Sequence, residues 1–227
     1  MKRPALLDRL WQSEKGLSVM LVLLSLNLFV VSPLVARETF AETWFELFFA
    51  ALLLSGVVAL PLKPRLTPAV FVLIVLTLSL RWASAGSSSM ALMIVEHVLT
   101  IASVSVLAAL ILVQVFRDGP ITGHRIQGAI AVYLLLGLSW TSAYNLVYQV
   151  VPGAFRFADA ADEASKHMHD LLYYSFVTLT TMGYGDIVPV HPVARSLATA
   201  EALVGQLYPA ILIGRLVSMQ IDSRRRT

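Results

Sequence analysis

Apolar residues run through this chain in long blocks broken by short polar punctuation, and the block lengths carry the first inference. A hydrocarbon layer about 30 Å thick takes roughly 20 apolar residues of helix. Six blocks reach that length, over residues 17–35, 43–61, 67–83, 90–116, 126–151 and 192–221. A seventh, "MHDLLYYSFVTLTT" at 168–181, has a helical pattern but is too short to span. It reads as a re-entrant half-helix, with Asp170 available to cap its start. The chain then turns to "TMGYGD", whose glycines suit neither helix nor strand. Non-helical backbone at membrane depth is tolerated only where protein buries it or where it lines a water-filled path. The predicted fold class is therefore an all-α membrane protein: six transmembrane helices, a re-entrant helix and an extended segment after it.

Composition agrees with the pattern. Of 227 residues, 57% are hydrophobic and 14% charged, with mean hydropathy +0.75; ordinary globular domains carry about 25% charged residues. The absence of cysteine excludes disulfides, thiolate metal sites and cysteine nucleophiles. There is no phosphate loop and no helix with paired metal-ligand histidines, so the chain does not read as an enzyme. A net charge of +3 and a pI near 9.3 could suggest nucleic acid, but the basic residues are dispersed between apolar runs. Lipid headgroups are the partner this distribution implies. Arg224, Arg225 and Arg226, after the last block, would attract anionic lipid at about 1 kcal/mol each. The opening "MKRPALLDRL" is basic like a signal peptide, yet Leu34 and Ala36 make a poor cleavage site.

Charge also orients the blocks. With a cytoplasmic amino terminus, six crossings put 12 of the 17 Lys and Arg residues inside. Arg37, Arg81, Arg156, Lys166 and Arg195 remain outside, among the acids Glu38, Glu42, Glu46, Asp159, Asp162, Glu163, Asp170 and Asp186. Both termini are then cytoplasmic, and the loop containing the half-helix faces out.

The stretch "TLTTMGYGD", 178–186, resembles the signature of tetrameric potassium channels, usually Thr-Val-Gly-Tyr-Gly preceded by a pore helix. The resemblance covers about residues 126–221. It implies a pore domain at 117–227, with outer helix 126–151, pore helix 168–181, selectivity filter 181–186 and inner helix 192–221, after a four-helix domain at 1–116. It further implies potassium coordination by the filter residues Thr181, Met182, Gly183, Tyr184 and Gly185, the carbonyls and the Thr181 hydroxyl replacing the ion's water. Asp186, Tyr173, Tyr174 and Thr178 would hold the filter in place. The pore helix would aim its negative end at a central cavity. The resemblance implies a homotetramer in a prokaryotic cytoplasmic membrane, with potassium as permeant ion and no cofactor or other metal. Two positions depart from the family's pattern: Met182 replaces the usual valine, and Val177 stands where some members carry a bracing glutamate.

Within 192–221, Pro209 lacks an N–H and crowds the carbonyl of Gly205, so the pair predicts a kinked or loosened helix. Gly205 matches the family's hinge glycine; close helix packing is the other reading. Ala202, Gln206, Pro209, Ile213 and Val217 fall on one stripe, which by resemblance lines the cavity and lower gate. Glu201 lies off that stripe. An acid in a span calls for a partner: either Thr178, Thr180 or a neighbouring pore helix, bracing the filter, or a fifth-helix residue such as Ser139 or Thr141.

Residues 90–116 contain no Lys or Arg, so the voltage-gated layout lacks its gating charges, and conduction without steep voltage dependence is expected. Glu96 and His97 in that block read as a hydrogen-bonded structural pair or as a pH-responsive element. His167, His169 and Asp170 read as surface residues rather than metal ligands. The expected function is selective potassium conduction. A weakly selective cation channel and a non-conducting membrane subunit are the alternatives.

Overall fold

The computed structural model describes residues 15–31, 41–59, 66–84, 87, 89–117, 122–158 and 164–225; side chains at 15–16, 31, 41–45, 58–59, 164–169, 220 and 222–225 lie outside that description. The readings of His167, His169 and Arg224 to Arg226 fall among those side chains and residues.

Among the described residues seven helices follow the apolar blocks. These are α1 Lys15–Leu26, continuing into a π-helical turn Asn27–Val31, then α2 Ala41–Ala59, α3 Leu66–Ser84, α4 Met90–Val115, α5 Gly123–Val150, α6 Ala164–Leu179 and α7 Pro192–Arg225. Two short strands, β1 Phe155–Phe157 and β2 Ile187–Pro189, pair antiparallel with Phe155 opposite Pro189 and Phe157 opposite Ile187.

Among the described residues four helices are long and apolar enough to cross a membrane: α3, α4, α5, and α7 over Pro192–Met219. The apolar stretches of α1 and α2 among the described residues, Leu17–Val30 and Glu46–Val57, are shorter, so four of the six expected spans reach that length there. A chain with this many apolar helices is an integral membrane protein.

α4 contains neither glycine nor proline over its 26 residues and packs along α5. Val104, Leu107, Ala108, Ile111 and Val115 recur on its buried side at spacings of three and four. They meet Ala129, Ala131, Val132 and Leu135 of α5 in one core, which Met20, Leu24, Leu52, Leu53 and Ile74 extend into the first three helices. A second core lies around the strands, where Tyr144, Phe155 and Tyr174 meet edge to face at 5.0 to 5.7 Å.

The half-helix differs from its expected bounds at both ends. It starts four residues earlier, at Ala164, so Asp170 sits inside the second turn and is not the cap. It stops at Leu179 because the next residues close a turn, described below.

Candidate functional site

The end of α6 determines everything after it. The Thr181 N–H donates to the Thr178 carbonyl at 2.9 Å and the Met182 N–H to the Val177 carbonyl at 2.9 Å. These are the two nested bonds of a Schellman ending, with Thr181 at the position that takes left-handed backbone. Its φ is +58°. Glycine normally fills that place, since a Cβ there costs about 1–2 kcal/mol.

From that residue on, the backbone alternates in hand: φ is positive at Thr181, Gly183 (+57°) and Gly185 (+81°) but at neither Met182 nor Tyr184. A regular strand, in which successive residues face opposite ways, keeps φ negative throughout, so this segment is neither helix nor strand. A Cβ at Gly183 or Gly185 would meet nothing within 4 Å, so backbone conformation and not crowding calls for glycine here. Residues 181–186 are exposed along their whole length. The segment is an exposed run of irregular backbone whose φ alternates in sign.

Its flanks are tied down. Ile187 donates its N–H to the Asp186 carboxylate at 3.1 Å, and the Asp186 carbonyl accepts from Ala158 at 2.9 Å, joining the segment to the β-pair. Arg195 Nε donates to the Pro189 carbonyl at 3.1 Å. The Tyr173 ring stacks on Tyr184, 6.4 Å between centroids and 3° from parallel, and its hydroxyl faces Asp186. Tyr174 is buried and pairs with Thr178. On the other side, Gln206 Nε2 donates to the Thr181 hydroxyl at 3.0 Å. This contact gives a reason for a β-branched residue at a glycine position: the hydroxyl is in use.

Glu201 is completely buried. Its partners are the Tyr144 hydroxyl of α5 at 2.5 Å and the Ser175 hydroxyl of α6 at 2.6 Å, so the expected Thr178, Thr180, Ser139 and Thr141 are replaced. Thr180 bonds back to the Phe176 carbonyl, Thr141 to the Gly137 carbonyl, and Ser139 pairs with Ser105. Ser175 also lies 2.8 Å from the Gly137 carbonyl, so its hydroxyl meets two acceptor groups with a single hydrogen. Glu201 thereby links α5, α6 and α7, meeting α6 at Ser175, two residues before Val177.

Gly205 meets the end of α6 directly. A Cβ built on it would lie 2.7 Å from the Leu179 carbonyl carbon and 3.1 Å from its Cα, with the carbonyl oxygen closer still. The same carbonyl accepts from the Tyr133 hydroxyl at 3.1 Å. α7 continues as one helix through Gly205 and Pro209. Ile213 and Val217 are exposed on the same side as Gln206, and Pro209 is half-buried. Tyr144, Ser175, Tyr133 and Arg195 escape sequence reasoning; only Tyr144 and Ser175, as polar groups inside apolar blocks, leave a signal.

A half-helix that ends in an alternating backbone segment between two spanning helices defines a membrane channel segment. Residues 130–221 match the protein family described as ion channel, covering three quarters of α5 and all but the last four residues of α7. The chain is 38% identical over 89 residues to Protein LctB of Bacillus caldotenax, which covers 37% of this chain and 64% of that protein. It is 32% identical over 90 residues to the two pore potassium channel c of Oryza sativa subsp. japonica, covering 40% and 18% of the two chains. To the voltage-gated potassium channel of Aeropyrum pernix it is 39% identical over 54 residues, covering 24% and 18%. The chain thus spans less than two thirds of the length of each. No solved structure matches it. These similarities indicate a channel and not an enzyme.

Proposed function

We propose that this protein conducts potassium selectively and passively through the segment Thr181–Gly185, as a homotetramer of six-crossing subunits with their filters facing out. The observation that carries the reading is the alternation of φ from Thr181 to Gly185 on an exposed backbone, anchored to the end of α6. Carbonyls turned to one side can replace a potassium ion's hydration shell, and a ring of chains closes the coordination. Met182 contributes its carbonyl while its side chain points elsewhere, so its replacement of valine leaves selectivity in place. Glu201, held by Tyr144 and Ser175, supplies the bracing that Val177 cannot. Gln206, Ile213 and Val217 line the water-filled cavity below. The resemblance to prokaryotic channels points to a prokaryotic cytoplasmic membrane with both termini inside, and Arg224 to Arg226 would meet anionic lipid there.

Voltage sensing of the usual kind is not expected. α4 carries no Lys or Arg, and a gating charge is worth about 2.3 kcal/mol per 100 mV only if the helix carries it. The relative named voltage-gated is matched over only 54 residues.

Purified protein in liposomes under imposed potassium or sodium gradients tests the function. Barium-sensitive potassium flux with little sodium flux is expected. Equal flux of both ions would reduce it to a weakly selective cation channel, and no flux across changes of voltage, pH and lipid would mean a non-conducting subunit.

A further inference from the structure

A charged network lies apart from the filter, where α2, α3, α4 and α5 meet. Arg81, in the last turn of α3, grips Glu46 of α2 with two prongs, Nε to Oε2 at 2.5 Å and Nη2 to Oε1 at 2.6 Å. Its third nitrogen donates to Glu96 Oε1 on α4 at 3.1 Å, and Thr100 donates to the same oxygen at 3.1 Å. The other Glu96 oxygen lies 3.1 Å from His97 Nδ1. The far ring nitrogen, Nε2, lies 3.0 Å from the side-chain amide nitrogen of Gln149 on α5. Glu96 and His97 are 5% and 6% exposed. An arginine between two carboxylates explains how α3 holds a cation inside a span. It does not explain the histidine.

Two features mark a place for a proton. The first is charge. With a neutral imidazole, Glu46 and Glu96 face one guanidinium and leave a net negative charge among apolar helices; an imidazolium at His97 balances it. The second is hydrogen bonding. The Gln149 amide nitrogen meets His97 Nε2, which must then accept, while the Gln149 carbonyl oxygen is buried with no partner. Turning that amide over lets the orphan oxygen accept from a protonated Nε2; Nδ1 is likewise buried without a hydrogen-bond partner, with Glu96 Oε2 3.1 Å away. Acceptors for both ring hydrogens are therefore in reach, and one side-chain rotation exchanges the two arrangements. Among the described residues the groups facing His97 are Glu96 on its own helix, Arg81 from α3 with Glu46 of α2 behind it, and Gln149 from α5.

The site lies at the filter end of the helices. Gln149 is the penultimate residue of α5, whose chain runs on into β1, and β1 pairs with the strand that follows Asp186. We infer that the Arg81–Glu46–Glu96–His97–Gln149 network is a proton-binding site open to the filter side, whose occupancy reverses the donor sense of the α4–α5 contact and alters conduction. The effect on conduction rests on the potassium-channel reading; the site itself does not.

The test has two arms on the full-length protein. The His97 ring nitrogens are followed by NMR from about pH 8 to 5, assigned by their loss in His97→Gln; one protonation in that window is expected. In liposomes, pH is stepped on each side separately while potassium flux is read. Wild type should change flux by about fivefold or more from one side only, and His97→Gln should lose that response. Should His97→Gln not fold, Gln149→Leu keeps the ring and removes its α5 partner: titration should persist and the flux response disappear. A ring that does not titrate, or a flux response that survives in both variants, overturns the proposal. Titration with no flux at any pH upholds the proton site and overturns potassium conduction.

Discussion

Replacing Gly205 by alanine separates two accounts of that glycine. As a hinge, it is valued for backbone freedom, and an added methyl would stiffen α7 without disturbing the closed packing. In the structure the methyl has no room: carbon atoms sit comfortably at about 3.5–4.0 Å, and the new Cβ would lie 2.7 Å from the Leu179 carbonyl carbon. The neighbour is backbone at the end of α6, so it cannot rotate away as a flexible side chain would. α7 and α6 would have to separate by roughly 1 Å, which overpacking data price at about 1–3 kcal/mol. Helix propensity returns about 0.5–1 kcal/mol, leaving a net loss of up to about 2.5 kcal/mol, or as much as several degrees of melting temperature. Because the Leu179 carbonyl is two residues before Thr181, the displacement also reaches the proposed filter. The assay is thermal unfolding in detergent beside barium-sensitive potassium flux, with Gly214→Ala as control. That glycine has nothing within 4 Å of its missing Cβ and should keep or slightly raise stability. If Gly205→Ala melted with wild type and changed only the opening of the pore, the hinge account would stand and the packing account would fail.

Substitutions at two further positions probe the segment and its support. Glu201→Leu leaves the buried Tyr144 hydroxyl without a partner and should cost about 1–3 kcal/mol, lowering both melting temperature and potassium over sodium selectivity. Glu201→Gln keeps an acceptor for Tyr144 and a donor for Ser175 and should be milder; selectivity unchanged in both would remove the bracing role. Thr181→Gly relieves a left-handed threonine and should hold or raise stability by up to about 1 kcal/mol. It should also weaken barium block, while Thr181→Ser retains it. Full block in Thr181→Gly would mean that the hydroxyl bound by Gln206 is not an ion ligand.

What could be read from the chain was set by length and by backbone demand. An apolar block of 26 residues without glycine or proline has few choices, and α4 matches its expected bounds to within a residue. Glycines in "TMGYGD" announce unusual dihedrals before any coordinates exist. Side-chain partnerships obey no such period. Helical arithmetic sets Glu96 and His97 about 100° apart and argues against a shared site, yet Glu96 Oε2 and His97 Nδ1 are 3.1 Å apart, because long side chains bend toward the same gap between helices. The partner of Glu96 was hidden for another reason: Arg81 sits on a different helix, 15 residues earlier. The β-pair was illegible because each strand has three residues, too few for an alternation to register. The start of α6 was misread because an aspartate that can cap a helix also fits inside one.

The exposure of α7 bears on how many chains the pore requires. Over an 18-residue apolar stretch of each helix, only 11% of α7 is buried, against 56% for α5, and α3 is similarly bare at 17%. The two bare helices differ in what they show. α3 turns out Leu66, Phe71, Val72, Val75 and Leu76, which lipid tails solvate without cost. α7 turns out Gln206 in mid-helix, beside six consecutive exposed residues of irregular backbone at 181–186. Hydrocarbon cannot hydrogen-bond an amide or a carbonyl, and each one left unsatisfied costs several kcal/mol. Lipid therefore cannot be what covers this side of α7; the polar positions need water, and the exposed Leu203, Leu207 and Ile211 around them need apolar cover. The proposed ring of identical chains would supply both at once, protein at the flanks and a water path along the axis. A monomer that ran at one-chain mass in lipid nanodiscs and still conducted would break this argument at its first step.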